Sequence, residues 1–289
     1  MRRPVARGLA DAAGTNDDRI IRYFMVQTAN VVQLKPRTLQ AFESYIIQAE
    51  AGMEPSLHGG SAFLWSDGNS QRAHQVRQGQ IVAQLWAGDA PVKVPNGLIH
   101  DWIAAAYVPG VTTEQALALV QNYDNHKNIY QPEVIDSKLI SRDGNDFKIF
   151  MRLLKKKIIT VVLDTDHDVH YSKVDASRWS CRSYTTRIAE VEDAGTPQER
   201  VLEPDTGYGF LWRLYSYWKF EEKKSATSEA AERQASAHSK DGLYIECRAI
   251  SLSRDIPLGL GWIIEPIVRK LPQESLAHTL ECTRKALLA

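Results

Sequence analysis

Two apolar periods organise the C-terminal half of this chain. From Gly207 to Glu222, Phe210, Trp212, Leu214, Ser216, Trp218 and Phe220 fall on one side, and Arg213 and Tyr217 on the other. A period of two is that of a β-strand, whose successive side chains point to opposite faces. Beyond Pro272 the period becomes 3.6. Leu276, Leu280, Thr283 and Leu287 share one arc, while Glu274, His278, Glu281 and Lys285 oppose it, with Glu281 and Lys285 spaced for an i,i+4 ion pair. Pro272 suits the first position of that helix, because the N–H it lacks would be unpaired there. A helix with one apolar face must lie on something apolar, and the strand-rich middle of the chain supplies that surface.

Residues 1–30 read as a flexible leader. A helix is predicted from Lys35, with Pro36 near its start and Leu39, Phe42, Tyr45 and Ile46 at helical spacing, ending near Gly52. Phe63-Leu64-Trp65 reads as a short strand. Ile81 to Trp86 and Ala90 to Val94 read as two strands joined at Gly88-Asp89. Residues 31–95 are therefore taken as an N-terminal extension packed on a main domain, 98–289. That domain starts with LIHDWIAAAYV, a strand apolar on both faces and closed by Pro109-Gly110. Thr112 or Thr113 then caps a helix that turns Ala116, Leu117, Leu119 and Val120 inward. Strand-like runs follow at 132–144, 145–155, 157–166, 169–175, 177–193, 207–222 and 242–253, broken by Gly, Asp, Asn or charged turns. Residues 222–242 carry few apolar positions and read as an exposed polar hairpin loop. Consecutive strands joined by short turns make an antiparallel sheet, and a long sheet twists and curls.

Charge and composition exclude some classes. Lys+Arg and Asp+Glu balance at 35 each, so the basic excess of a nucleic-acid binder is missing. Cys181, Cys247 and Cys282 are too far apart for a CxxC pair or a disulfide framework and read as buried thiols. No run approaches the ~18 apolar residues that cross a bilayer. The N-terminus is basic at Arg2, Arg3 and Arg7 but continues ADAAGTNDD, a poor secretory signal as written. A soluble, cytoplasmic chain is expected on that reading, and an exported one if its start is misassigned.

Among chemical motifs, Asp164, Asp166, Asp168 and Asp175 have the oxygen spacing of a calcium loop. Val169, however, stands where an EF-hand needs glycine, so a solvated hairpin turn is expected and no metal. His167 and His170 lack a third zinc ligand nearby. No GxSxG, HExxH, Walker loop or GxGxxG is present. Arg152, Arg182, Arg187 and Arg248 fall within strands. The period-two rule places Arg187 on the side of Trp179, Cys181 and Ser183, and a polar residue on an inward face marks a binding group. Leu258 to Leu271 is apolar nearly all round, which fits a buried segment or a mobile lip, with Gly259, Gly261 and Pro266 as bending points.

The element order, with YDNHKNIYQPEVIDSKLISRDG after the first helix of the main domain and SLSRDIPLGLGWIIEPIVRKLP before the last, resembles the START-like superfamily. Its members include START lipid-transfer domains, the birch-pollen-allergen family, polyketide cyclases and coenzyme-Q-binding proteins. The resemblance covers residues 98–288 and rests chiefly on Tyr123-Asp124-Asn125-His126 and Tyr130-Gln131-Pro132-Glu133-Val134. It implies an α+β helix-grip fold, a curved antiparallel sheet wrapped around a long C-terminal helix, here with an N-terminal α/β extension. It also implies a cavity for an apolar or amphipathic small molecule such as a lipid, isoprenoid or polycyclic compound. Trp102, Met151, Trp179, Arg187, Trp212, Leu214, Trp262, Leu276 and Leu280 are the expected ligand-binding residues. No cofactor and no nucleic-acid partner are expected. Residues 258–271 are a candidate for transient membrane contact, and the oligomeric state is not legible. Two alternatives stay open. One is a cyclase- or aromatase-type enzyme using an acid–base residue such as His100, Tyr107 or Tyr184, which a perturbed His or Tyr deep in the pocket would favour. The other is an interaction module with a filled core.

Overall fold

A computed structural model of the protein describes residues 31–156, 160–224, 241–256 and 261–289, and for 261–269 the backbone alone. The leader, most of the 222–242 loop, Leu258, Gly259 and the side chain of Trp262 lie outside the described residues. A short strand β1 (Val32–Gln33) precedes helix α1 (Pro36–Leu57), and helix α2 (Ser70–Arg77) precedes strands β2 (Val82–Leu85), β3 (Val92–Val94) and β4 (Gly97–Pro109). Helix α3 (Thr113–Val120) starts at a capping box. Thr112 accepts from the Gln115 N–H while the Gln115 side chain accepts from the Thr112 N–H. After α4 (His126–Ile129) come β5 (Val134–Asp143), β6 (Asp146–Lys156), β7 (Thr160–Lys173), β8 (Arg178–Glu192), β9 (Arg200–Val201), β10 (Thr206–Gly207), β11 (Arg213–Lys223) and β12 (Gly242–Arg254). Helix α5 (Gly261–Leu288) closes the chain.

One curved antiparallel sheet dominates, in the order β2-β4-β12-β11-β8-β7-β6-β5, with β3 also on β4 and β9 on β8. The first long strand, β4, thus lies beside the last, β12, and the strands between them follow in sequence around the curve. Helix α5 crosses the inner face, where Leu276 and Leu280 join a core with Trp102, Ala104, Ala106, Phe147, Ile149, Val169, Phe220 and Ile245. Helix α1 covers the outer face through Phe42, Ile46 and Ala49, which pack with Ile99, Ile250, Leu252 and Trp212. With a helix on each side, β4 is buried at every position from Gly97 to Val108, which is why its sequence is apolar on both faces.

The outer layer is also where the strand arginines go. Arg248 donates to Asp101 at 2.9 and 2.6 Å, Tyr45 of α1 donates to the same carboxylate at 2.8 Å, and the Trp86 ring stacks on the guanidinium at 3.9 Å. Arg152 pairs with Asp164 at 2.7 and 2.9 Å, and Arg187 meets Asp166 at 3.5 Å.

Several local expectations are corrected. Asp164 to Asp168 is the middle of the 14-residue strand β7, and the runs read as separate strands at 157–166 and 169–175 are continuous there. Outward pairing to Arg152, Arg187 and, at 3.6 Å, Lys148 accounts for the alternating aspartates. Phe63 to Trp65 is irregular backbone whose Trp65 and Ser66 N–H groups donate to the buried Glu246 carboxylate at 2.7 and 2.8 Å. Strands β2 and β3 do not form a hairpin together; each pairs with a different stretch of β4. Helix α1 continues through Gly52 and Pro55 to Leu57, and α5 begins eleven residues before Pro272.

Candidate functional site

Between the inner face of the sheet and α5 lies a cavity of about 420 Å³. This is within the range of drug-sized ligand sites, ~300–1,000 Å³. Its wall is mainly apolar: Val134, Ile149, Leu153, Leu163 and Val169 on one flank, Leu211, Leu214, Trp218 and Phe220 on the other, and Leu276 from the helix. The helix spans the sheet but does not fill the curve near the β5–β8 side, and the unfilled space is the cavity.

One group of polar side chains comes from β4, β7, β8, β11 and β12. The strand register sets His100 of β4 opposite Ser251 of β12, which faces Leu214 of β11; on the other side His167 of β7 faces Thr185 of β8. One pleat along, Ser216 of β11 is directly opposite Ser183 of β8. These side chains form a band of uncharged hydrogen-bonding groups across an apolar floor. Its proton positions follow from the partners. Thr165 Oγ1 donates its single hydrogen to the Met151 carbonyl at 2.9 Å, so it accepts from His167 Nε2 at 2.9 Å. His167 Nδ1 is then an acceptor, and Ser183 Oγ donates to it at 3.3 Å. Ser216 Oγ accepts from Trp218 Nε1 at 3.2 Å. By the same reasoning Ser253 Oγ donates to the Arg254 carbonyl at 3.3 Å and accepts from His100 Nε2 at 3.0 Å, leaving His100 Nδ1 as a buried acceptor that no hydrogen bond from the described residues reaches.

Burial keeps these groups neutral. It lowers His100, His126 and His167 to about 4, because a desolvated imidazolium is costly. Burial likewise raises the Cys181 thiol to about 12 and the Tyr130 phenol to about 12. Tyr123 and Tyr171 share a hydrogen bond of 2.9 Å between hydroxyls, and burial raises both. Among the described residues, the cavity wall carries two further charged side chains. Glu133 and Lys155 are paired with each other and both bonded to Ser275 of α5, at 3.2 and 2.8 Å. Burial lowers the Lys155 ammonium, against the pull of Glu133. No cluster of His, Cys, Asp or Glu among the described residues has the makings of a metal site, and no described helix is long and apolar enough to cross a membrane.

Of the residues expected to bind ligand, Met151, Leu214 and Leu276 line the cavity. Trp102 and Leu280 are on the same face but within the packed core, and Trp179 packs at its margin with Lys173 6.0 Å from its ring centroid. Trp212 precedes β11 rather than lying in it, and joins the cluster under α1 on the outer face. Arg187 is turned outward too, and the cause is local. The β7–β8 register shifts between the pairs Asp166–Arg187 and His167–Thr185, so Thr186 is an extra residue and every later side chain of β8 changes face. Cys181, Ser183 and Thr185 face in, then Ile188; Arg187 faces out. Of the acid–base candidates only His100 reaches the cavity. Tyr107 stacks against Tyr244 at 5.0 Å, and Tyr184 donates to Glu50 of α1. Ser183, Ser216 and His167 were missed as site residues, although the rule applied to Arg187, a polar residue on an inward face, points to Ser216 in its aromatic stripe.

No protein-family model and no curated protein matches the chain. Solved structures do. The STAR-related lipid transfer protein fragment from Xanthomonas axonopodis is 14% identical with a TM-score of 0.43, over 72% of this chain and 99% of that one. Human STARD10 is 11% identical with a TM-score of 0.40, over 76% and 80%. The Zhui aromatase/cyclase of a Streptomyces species is 7% identical with a TM-score of 0.37, over 66% and 92%. What assigns the fold is the chain's own topology, with the first long strand beside the last, the rest in sequence around the curve, and the C-terminal helix across the inner face: this is a helix-grip fold.

Proposed function

We propose that the protein binds and carries an apolar or amphipathic small molecule, enclosed between the sheet and α5. The observation that supports this is the 420 Å³ cavity with an apolar wall, a band of neutral polar groups, and one charged pair already satisfied within the protein. The driving force is removal of ligand surface from water, ~25 cal/mol per Å² of apolar area, with polar contacts setting orientation. The relatives' names, a lipid transfer protein and an aromatase/cyclase, are compatible with such a cavity.

One observation favours an enzyme instead, namely the histidines His100 and His167 in the cavity with displaced pKa values. The direction of the displacement tells against it. At about 4, an imidazole is a base some 3 units weaker than one matched to neutral pH, roughly a thousandfold in proton affinity. Native mass spectrometry of the purified protein, followed by organic extraction, tests the carrier reading. A bound small molecule released by extraction is expected. A bare chain that also fails to take up neutral apolar fluorophores would overturn it.

A further inference from the structure

Within that carrier reading, on which this inference rests, we propose that the cross-strand pair Ser183–Ser216 is a subsite for the hydroxyl of an uncharged apolar alcohol, so that the ligand class is a neutral alcohol of isoprenoid or polycyclic bulk rather than an ionised acid or amine.

The argument starts with donors and acceptors. Both serines line the cavity and are only half-buried, their remaining surface being exposed to the cavity. Ser183 directs its hydrogen at His167 Nδ1, which leaves the Ser183 oxygen as an acceptor. Ser216 receives the Trp218 N–H, which leaves its own hydrogen to donate. Directly opposite residues on antiparallel strands have Cβ atoms ~4.5–5.5 Å apart, so one ligand oxygen fits between the two hydroxyls within hydrogen-bond reach of each. That oxygen must accept from Ser216 and donate to Ser183. A hydroxyl does both.

An ionised carboxylate accepts only. It would set its charge against the Ser183 oxygen, and among the described residues no free cation offsets the loss of water: Arg152, Arg187 and Arg248 are paired on the outer face and Lys155 is held by Glu133. An ammonium fares no better, because it cannot accept from Ser216, and the one carboxylate among the described residues of the cavity wall, Glu133, is held by Lys155. The rest of the wall, with Leu214 and Phe220 on the strand of Ser216 and Leu163 and Val169 on β7, next to the strand of Ser183, rewards an apolar body.

His167 and Trp218 do not donate to the ligand in this arrangement. They fix which way the two serine hydroxyls point, and Thr165, by accepting a hydrogen bond from His167 Nε2–H and donating its own hydrogen to the Met151 carbonyl, fixes the tautomer. His167 is therefore a positioning residue.

The test uses three probes by fluorescence titration at pH 7.5: retinol and retinoate, which share a skeleton, and N-phenyl-1-naphthylamine as a neutral apolar probe without a hydroxyl. Retinol is expected to bind at least tenfold more tightly than retinoate. Ser183→Ala and Ser216→Ala should each weaken retinol three- to tenfold and leave the naphthylamine within twofold. His167→Leu should lose the same preference, and His167→Gln, which retains an acceptor, should restore most of it. If the naphthylamine binds but retinol and retinoate bind alike, or if the serine variants shift both neutral probes equally, the subsite is refuted while the carrier reading stands. If none of the three binds, both fall. Even should a variant fail to fold, equal binding of retinol and retinoate by the unmutated protein refutes the subsite.

Discussion

Leu276 and Leu280 lie one turn apart on α5, and the same truncation at each should cost different amounts. Leu280 is fully buried in the core, while Leu276, 6% exposed, has the cavity on one side. Replacing a buried leucine by alanine removes three carbons from an apolar site, ~2.4 kcal/mol at 0.8 kcal/mol per methylene group. At Leu280 a second cost adds to this. The site is closed on all sides, and a residual void of ~60 Å³ at ~24 cal/mol per Å³ adds ~1.5 kcal/mol, for a total of about 4 kcal/mol. At Leu276 the space merges with a cavity that already exists, so no new enclosed void forms, and part of the side chain had no packing partner to lose. Its loss should be about 2 kcal/mol.

Urea unfolding followed by tryptophan emission and far-ultraviolet circular dichroism measures both. With a slope of ~2 kcal/mol per M, Leu280→Ala should lower the midpoint by ~2 M and Leu276→Ala by ~1 M. Leu276→Ala should also leave the slope unchanged and accept a bulkier ligand. Equal losses at the two positions, or a greater loss at Leu276, would mean that α5 packs fully on the sheet and that no cavity exists there.

Two other outcomes follow from the same geometry. Because His100, His126 and His167 have folded pKa values of about 4, below the 6.5 of a free imidazole, the unfolded chain binds more protons between those limits, and stability present above pH 6.5 falls as the pH drops toward 4. At ~1.36 kcal/mol per unit each histidine is worth about 3 kcal/mol, offset in part by Glu190 and Glu246, whose carboxyls burial raises; melting temperature should therefore fall in that window, and a flat profile from 7 to 4 would refute it. Arg187→Ala should change ligand affinity less than twofold, since Arg187 meets Asp166 outside the sheet, and a tenfold loss would show that the guanidinium reaches the cavity.

Much of the fold was legible because it depends on periodicity. The alternation in β11 and the 3.6-residue arc of Leu276, Leu280 and Thr283 each name a buried face without reference to anything distant, and the double-sided apolarity of β4 announces that both faces of the sheet are covered. Aspartates misled because charge was read as a turn signal. In β7 the alternation of Asp164, Asp166 and Asp168 with buried Thr165, His167 and Val169 is itself a strand pattern, and the acids are tolerated because basic residues of β6 and β8 stand beside them on the outer face. Nothing in β7 alone reveals those partners.

The site was less legible than the fold for a reason that Thr186 makes concrete. Which face a strand residue occupies is a matter of parity counted along the chain, and a single extra residue reverses the count for everything after it. Counting from Trp179 through Cys181 and Ser183 is correct up to Thr185; two residues later it places Arg187 inside, where the register has put it outside. The error reverses the chemistry of the cavity, since an inward guanidinium would select an anionic ligand and the observed floor of serine and neutral histidine does not. The bulge has no side-chain signature, because Thr185, Thr186 and Arg187 are all ordinary strand residues. It is visible only in pairing with β7, a property of two segments at once. For a fold that lines its cavity from one face of one sheet, the positions of bulges decide the charge of the pocket as much as the residue types do.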